Sequence, residues 1–378
     1  MDTRIKLLNY IVECLKEYKG IETKKNVTPK FNVGELVELR KIAERNSLMP
    51  VLCETGKEIW TEIGRREKSL DTRNMYESRI KMALPIFEEF EKENIEYAVL
   101  KGSYLADVAY GDMNIRDSND IDILIRKEDI KRIKEICVVN GFVSGKSDRK
   151  RKCIIHYNRT QEVAFSLNTH QIATMVKTGS NHYFDFYDTV LDCNFSLFWG
   201  GYNGKETPSN DFLRNRFKYV DSNGLAYFVL NMEYNLLQLC LHAYKEANGF
   251  FFIKAKGGLC LRAFLDIFYY VIECEDKLDW DILSKLIKEY ELERYVYFVM
   301  SVIKELFGER KSVNYLITAS ENVETIRSVD EMGLTRVISW GGIPIKERFF
   351  SEKVNEWLGS NISYEEMERL KLAEDEFY

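Results

Sequence analysis

The start of the chain carries apolar positions with helical spacing. Residues such as Leu7 and Ile11 recur three to four positions apart across residues 1–94, which is typical of one face of an amphipathic helix. Further helices are predicted near residues 36–45 and 72–94 by the same periodicity. The sequence therefore predicts a helical N-terminal region.

Residues 95–220 have a different pattern, in which short apolar runs alternate with helical segments. Runs bounded by turn residues predict buried strands at residues 97–100, 121–125, 154–155 and 163–169. Residues 128–139 predict a helix that ends at Asn140 and Gly141, a common stop signal. Helices and strands mixed in this way predict one compact α/β core.

Residues 221–378 return to a helical pattern. Apolar stripes typical of packed helices run through residues 225–244, 259–273, 280–290 and 292–306. Ser363 followed by Glu366 predicts a capping box at the start of a last helix. The predicted fold is α+β, with a small mixed sheet in the core and helical N- and C-terminal regions on either side.

Composition and charge restrict the function without identifying it. The chain is 45% hydrophobic and 30% charged, as in ordinary soluble proteins. Its net charge of −6 disfavours a generic nucleic-acid binder, which usually has a basic excess. The basic run at residues 149–152 is predicted to be a solvated loop.

The cysteines and the hydropathy favour a cytoplasmic protein. The 8 cysteines form no Cys-x-x-Cys pair and stand in apolar segments, which indicates buried reduced thiols. The 4 histidines lack zinc-ligand spacing. No stretch approaches the roughly 20 apolar residues that cross a bilayer, so no membrane partner is predicted.

Two aspartates stand in the apolar run at residues 121–125 or directly before it. Asp120 and Asp122 are two positions apart, so on a strand they point to the same face. Their carboxylates repel one another, and a hard cation such as Mg²⁺ relieves that repulsion. The alternative is an exposed edge strand with two solvated aspartates.

A second candidate element is the turn after the first predicted strand. Lys101, Gly102 and Ser103 follow residues 97–100 and open a predicted helix. Glycine allows a close approach of the backbone to a ligand, and free N–H groups at a helix start favour phosphate. The alternative is an ordinary turn with a serine cap.

Together the two elements resemble the signature of the DNA polymerase β-like nucleotidyltransferase superfamily. In particular they resemble a bacterial uncharacterised nucleotidyltransferase family within it. The matching positions are Leu100, Lys101, Gly102, Ser103, Tyr110, Arg116, Asp120, Ile121, Asp122, Asn140 and Gly141. Weaker helical matches extend through residues 236–242, 262–266 and 278–280, so the resemblance covers most of the chain.

The resemblance implies a Mg²⁺-dependent enzyme that moves a nucleoside monophosphate from a nucleoside triphosphate, such as ATP, to an acceptor, with release of pyrophosphate. It implies that Asp120 and Asp122 hold one or two Mg²⁺ ions. Gly102 and Ser103 are the expected phosphate cradle, and Lys101 or Arg116 would add positive charge against the triphosphate.

One position departs from the family pattern. A third acid usually precedes a histidine by two residues on a later strand of the family, and the matching segment here has Asn168 and His170. Asparagine can coordinate Mg²⁺ but cannot act as a general base, whereas His170 has a suitable pKa range. Either the enzyme uses a different base, or the protein binds nucleotide without efficient transfer.

Three functions therefore remain open. The first is the nucleotidyltransferase, the second is a catalytically impaired nucleotide sensor or scaffold, and the third is a helical interaction protein without a nucleotide. The acceptor is not predicted, and a small molecule, a peptide or protein, and an RNA end are all compatible with the sequence. The oligomeric state also stays open.

Overall fold

The chain was analysed as a computed structural model. The structure describes residues 3–22, 30–63, 68–112, 115–116, 118–169, 171–181, 185–197, 207–320, 328–329 and 338–368. It contains two compact units. We call Ser69–Gln238 with Asp375–Tyr378 the sheet unit, and Met1–Lys68 with Leu239–Glu374 the helical unit.

The strands are β1 (Tyr97–Val99), β2 (Ile121–Ile125), β3 (Val143–Asp148), β4 (Cys153–His156), β5 (Met175–Gly179), β6 (Tyr187–Asn194), β7 (Arg216–Val220), β8 (Ala226–Leu230), β9 (Ser328–Val329) and β10 (Ile338–Ser339). Within the described residues, β1 to β8 form one sheet in the order β4-β3-β5-β6-β2-β1-β8-β7. β9 and β10 form a separate antiparallel pair.

The helices are α1 (Thr3–Tyr18), α2 (Val33–Arg45), α3 (Met49–Glu54), α4 (Glu58–Ile63), α5 (Lys68–Lys92), α6 (Ser103–Leu105), α7 (Ile130–Val139), α8 (Arg159–Thr169), α9 (Thr207–Arg214), α10 (Met232–Asn248), α11 (Phe250–Lys256), α12 (Leu261–Cys274), α13 (Trp280–Glu289), α14 (Glu293–Phe307), α15 (Lys311–Ala319) and α16 (Ser351–Asn361). A π-helical turn, Ala106–Tyr110, follows α6, and 3-10 turns cover Lys127–Asp129 and Ile345–Phe349.

β2 is a central strand of the sheet. It pairs in parallel with β6 and antiparallel with β1, and Ile121, Ile123 and Leu124 are buried. Each such side chain contributes about 1.5–3 kcal/mol by leaving water. The alternative of a solvated edge strand is therefore wrong, because hydrogen-bonded neighbours cover both edges of β2.

The prediction of a strand at residues 163–169 is wrong, because this segment belongs to helix α8. Asn158 and Gln161 explain the difference: the Gln161 N–H donates to Asn158 Oδ1 at 3.0 Å, and the Asn158 N–H donates to Gln161 Oε1 at 2.9 Å. This reciprocal pair satisfies N–H groups that a helix start leaves open. The cap therefore starts a helix that the apolar run alone does not distinguish from a strand.

In the helical unit, segments from the two ends of the chain share one core. Leu7 and Ile11 of α1 are fully buried, and the Tyr269 hydroxyl donates to the Leu15 carbonyl at 2.6 Å. Asn46 accepts the Leu261 N–H at 2.6 Å at the start of α12. The division of the chain into three regions at residues 94 and 220 stays a prediction.

The α+β fold class is confirmed: a mixed sheet carries the core, and the described termini are helical. The predicted capping box is also present, because the Ser363 N–H donates to Glu366 Oε2 at 2.8 Å. Among the helices that the structure describes, none combines the length and the apolar character that a bilayer crossing requires.

Candidate functional site

Strand ends bring the glycine turn and the aspartate pair together. The Leu100 N–H donates to the Asp122 carbonyl at 3.0 Å, so the chain leaving β1 runs beside the start of β2. β8 lies parallel to β1 on the other side, with Val99 opposite Val229. The turn from Lys101 to Ser103 therefore begins one residue after Leu100, which is hydrogen-bonded to Asp122.

β6 carries a third carboxylate that the sequence analysis missed. In the parallel pair of β2 and β6, Asp122 lies opposite Asp192. Matched residues of a parallel pair point to the same face of the sheet, and adjacent strands lie about 4.8 Å apart. Asp192 was identifiable in principle, because it interrupts an apolar run between Leu191 and Cys193, as Asp122 interrupts β2.

The surroundings of Asp192 favour its protonated form. Burial, together with the negative charges of Asp120 and Asp122, raises the pKa of Asp192 to about 7, against the opposing effects of the Thr174 hydrogen bond and of Lys101. The Thr174 hydroxyl donates to Asp192 Oδ1 at 2.9 Å. A carboxyl group with a pKa near neutrality can accept and release a proton under ordinary conditions.

Lys101 faces the carboxylates of this site. Its Nζ lies 2.9 Å from Asp122 Oδ2, and both side chains are mostly buried. The ammonium group offsets part of the repulsion between the aspartates, because an opposite charge within about 4–6 Å favours the ionised carboxylate. Lys101 therefore supplies positive charge at the predicted site, on the side of Asp122.

Asn194 orients the carboxylate of Asp122. Its Nδ2 donates to Asp122 Oδ1 at 3.5 Å and to the Ile123 carbonyl at 3.4 Å. Gln171 Nε2 donates to Asn194 Oδ1 at 2.6 Å. Because Oδ1 accepts from Gln171, the amide nitrogen of Asn194 is directed at Asp122.

The glycine turn has the backbone that the sequence predicts. Gly102 has φ +68° and ψ −125°, a backbone conformation that residues other than glycine rarely adopt. Ser103 is fully buried, and its hydroxyl contacts the hydroxyl of Tyr227. A phosphate contact in this turn would therefore come from backbone N–H groups and not from the Ser103 hydroxyl. Arg116, also predicted to bind nucleotide, is 5% exposed.

The structure does not support the predicted strand position of Asn168. Asn168 belongs to helix α8, so it does not occupy the strand position assumed in the sequence comparison, and His170 lies outside the described residues. The place beside Asp122 on the neighbouring strand holds Asp192 instead. The segment from residue 163 to 169, which the sequence assigned to that strand, is a helix, and the catalytic roles of Asn168 and His170 stay predictions.

The donor set fits Mg²⁺ only in combination with a second ligand. Carboxylates of Asp120, Asp122 and Asp192 influence one another electrostatically. Within the part of the chain that the structure describes, however, no three His, Cys, Asp or Glu side chains converge as a ready metal cluster. Mg²⁺ characteristically takes one or two carboxylates together with substrate phosphates and water, so these residues fit a metal that arrives with a nucleotide.

Comparisons with known proteins identify the family of the chain. Residues 38–308 match the family model described as an uncharacterised nucleotidyltransferase. A crystal structure of an antigenic nucleotidyltransferase-like protein from Paracoccidioides brasiliensis shares 14% identity, covers 53% of this chain and 77% of that chain, and has a TM-score of 0.28. A search of curated proteins found no match. The family match spans well over half of the chain, and the chain therefore belongs to the uncharacterised nucleotidyltransferase family.

Proposed function

We propose that this protein is a Mg²⁺-dependent nucleotidyltransferase. It moves a nucleoside monophosphate from a nucleoside triphosphate to an acceptor hydroxyl or phosphate and releases pyrophosphate. The observation that carries the proposal is the register of β2 and β6, in which Asp122 lies opposite Asp192. This pairing places two carboxylates side by side, and Asp120 lies close enough to raise the pKa of Asp192.

Asp120 and Asp122 would hold the metal, with Asp192 beside them. Mg²⁺, when bound, would neutralise charge on the triphosphate and on the attacking and leaving oxygens. Backbone N–H groups of Gly102 and Ser103 would bind the β and γ phosphates. Both residues lie at the turn that opens α6, and backbone N–H groups at such a start favour an anion.

The chemical step is an in-line displacement at the α-phosphorus. A bond forms between the acceptor oxygen and phosphorus, the bond from that phosphorus to the oxygen bridging to the β-phosphate breaks, and its electron pair leaves with pyrophosphate. The proton of an acceptor hydroxyl passes to Asp192. Asp192 suits this use because its carboxylate lies beside Asp122 in the strand register, and a general base must lie within reach of the proton that it takes.

Lys101 has two contributions in this proposal. Its ammonium group lies on Asp122, where it lowers the repulsion among the three aspartates before a metal binds. After the nucleotide binds, the same charge is available to the triphosphate. The presence of Asp192 beside Asp122 also argues against an impaired enzyme. That alternative depended on Asn168 occupying the position of the third acid.

Calorimetry with ATP, GTP, CTP and UTP in the presence of Mg²⁺ tests the proposal. We expect at least one nucleotide to bind, and we expect Asp122→Asn to abolish the Mg²⁺-dependent part of that binding. Asp211→Asn is the matched control, because Asp211 pairs with Arg214 on the surface of α9. The absence of nucleotide binding to a folded wild-type protein would contradict the proposal.

Pyrophosphate release distinguishes the enzyme from a nucleotide sensor. A transferase releases pyrophosphate when the correct acceptor class is supplied, and the screen should cover small hydroxylated molecules, peptides and proteins, and RNA. A sensor binds the nucleotide with Mg²⁺ and releases none with any of them. The search is practical because the nucleotide found by calorimetry fixes one of the two substrates.

A further inference from the structure

Asp120 differs from the other two aspartates in how its position is fixed. The paired part of β2 begins at Ile121, which lies opposite Leu191. Asp122 and Asp192 are thus held by hydrogen bonds of the strand ladder, whereas Asp120 precedes that ladder. Something other than strand pairing must set the distance of Asp120 from Asp192.

Ser118 makes the first connection. Its hydroxyl donates to the Asp120 carbonyl at 3.0 Å, which closes a short turn immediately before β2. Ser118 itself is 6% exposed, and its carbonyl accepts a hydrogen bond from Arg79 Nη1 at 2.6 Å. The backbone that carries Asp120 is therefore anchored to a side chain of helix α5.

Arg79 extends the connection to the strand of Asp192. Its Nε donates to the Asp188 carbonyl at 2.9 Å, and its Nη2 donates to Asp188 Oδ1 at 3.3 Å. Asp188 lies on β6, four residues before Asp192. A single guanidinium thus joins the segment before Asp120 to the strand that carries Asp192.

The chemistry of this contact is specific to arginine. Arg79 is 2% exposed, and it uses separate nitrogens of its planar fork for the Ser118 and Asp188 groups. Lysine would bring a single nitrogen that cannot reach both partners in the same geometry. Arg149 serves as a control for Arg79. It donates to both carboxylate oxygens of Asp188 at 3.0 Å, but within the described residues it makes no hydrogen bond to Ser118.

We propose that Arg79 is a positioning residue that fixes Asp120 relative to Asp192 and thereby sets the affinity of the site for its metal. The inference rests on the proposed function, because it assigns Asp120 to metal binding. Arg79 would not contact the substrate itself. It acts through Ser118 on one side and through β6 on the other.

Mn²⁺ binding measured by electron paramagnetic resonance, in the presence of the nucleotide that binds the wild type, tests the inference. We expect Arg79→Lys to weaken Mn²⁺ binding by about tenfold, in the range known for residues that orient metal ligands. Arg149→Lys should change it less than about twofold, because it disturbs Asp188 without releasing Ser118. Equal effects of the two substitutions would overturn the inference.

Ser118→Ala tests the same connection without altering a buried charged side chain. It should also weaken Mn²⁺ binding, and it should add little further loss in combination with Arg79→Lys, because both changes break one chain of contacts. Unchanged Mn²⁺ affinity in Ser118→Ala would overturn the inference even if Arg79→Lys fails to fold. In kinetics, both variants should raise the Mg²⁺ concentration for half-maximal rate more than they lower kcat at saturating Mg²⁺.

Failure of the inference and failure of the proposed function give different results. A folded wild type that binds no Mn²⁺ with any nucleotide contradicts the proposed function itself. A wild type that binds Mn²⁺ tightly, with Arg79→Lys and Ser118→Ala variants that bind it equally well, contradicts only the positioning role of Arg79.

Discussion

Asp122 and Asp192 lie opposite one another in a parallel pair of strands. Their carboxylates therefore share one face of the sheet at roughly the separation of adjacent strands, about 4.8 Å. Burial, together with the negative charges of Asp120 and Asp122, raises the pKa of Asp192. The pair is a source of instability in the isolated protein that a cation or a proton relieves.

Asp192→Asn should separate nucleotide binding from chemistry. The amide keeps the shape of the side chain but cannot take the acceptor proton, so we expect kcat to fall by about 10²–10⁴-fold. The dissociation constant of the Mg²⁺ nucleotide should change far less. Pyrophosphate release and calorimetry on the same variant measure the two quantities, and full activity of Asp192→Asn would exclude Asp192 as the base.

The pKa of Asp192 also predicts how stability depends on pH. The folded state holds the Asp192 proton up to about pH 7, whereas the ordinary pKa of an aspartate carboxyl, which applies to the unfolded chain, is 3.8. Between these values the folded state binds more protons, so the contribution of Asp192 to the free energy of unfolding decreases as pH rises. This contribution is greatest below pH 3.8 and has been lost above pH 7.

Asp192→Asn should therefore stabilise the metal-free protein at pH 8 more than at pH 5. The gain at pH 8 is on the order of a few kcal/mol at most, because each pKa unit corresponds to about 1.4 kcal/mol. Urea unfolding of the wild type and the variant at both pH values measures it. An equal effect at pH 5 and pH 8 would show that the pKa of Asp192 is not raised.

Lys101→Met should weaken the site by removing its positive charge. The ammonium group pairs with Asp122 at 2.9 Å, and its loss leaves the aspartates with greater mutual repulsion. We expect the nucleotide dissociation constant to rise by about tenfold, the scale of one hydrogen bond to a charged group. Lys101→Arg, which keeps the charge, is the control, and calorimetry at fixed Mg²⁺ is the measurement.

Asn46→Ala should destabilise the helical unit without affecting nucleotide binding. Asn46 is 1% exposed, accepts the Leu261 N–H at 2.6 Å and donates to the Ile42 carbonyl at 2.8 Å. Removing it leaves a buried N–H without this acceptor, at a cost of about 1–3 kcal/mol. Thermal unfolding checks this value. Asn361→Ala serves as the comparison, because Asn361 is half-buried and donates to the Trp357 carbonyl four residues away, and it should have a smaller effect.

The parts of the site that were predictable from sequence are those encoded over short distances. Asp120 and Asp122 interrupt an apolar run, and Gly102 stands at a strand end where its positive φ is required. Each of these signals lies within a few neighbouring residues. The α+β fold class was predictable for the same reason, since apolar periodicity reports the type of an element from its own residues.

Asp192 escaped prediction because its role depends on a distant pairing. The residues of β6 alone do not indicate that this strand lies next to β2, since strand order depends on the packing of the whole sheet. The error at Asn168 had another origin, because an apolar run of seven residues fits a helix or a strand equally well. The cap formed by Asn158 and Gln161 was the local signal that favoured the helix.

The pairing of β2 with β6 also has a consequence for synthesis. Asp120 and Asp122 leave the ribosome well before Asp192, and a long intervening segment must fold before β6 can reach β2. The entropy of closing that loop has to be overcome by later contacts. A nascent chain therefore cannot possess a working site until β6 has emerged, and a truncated translation product that stops before it would be inert toward nucleotides.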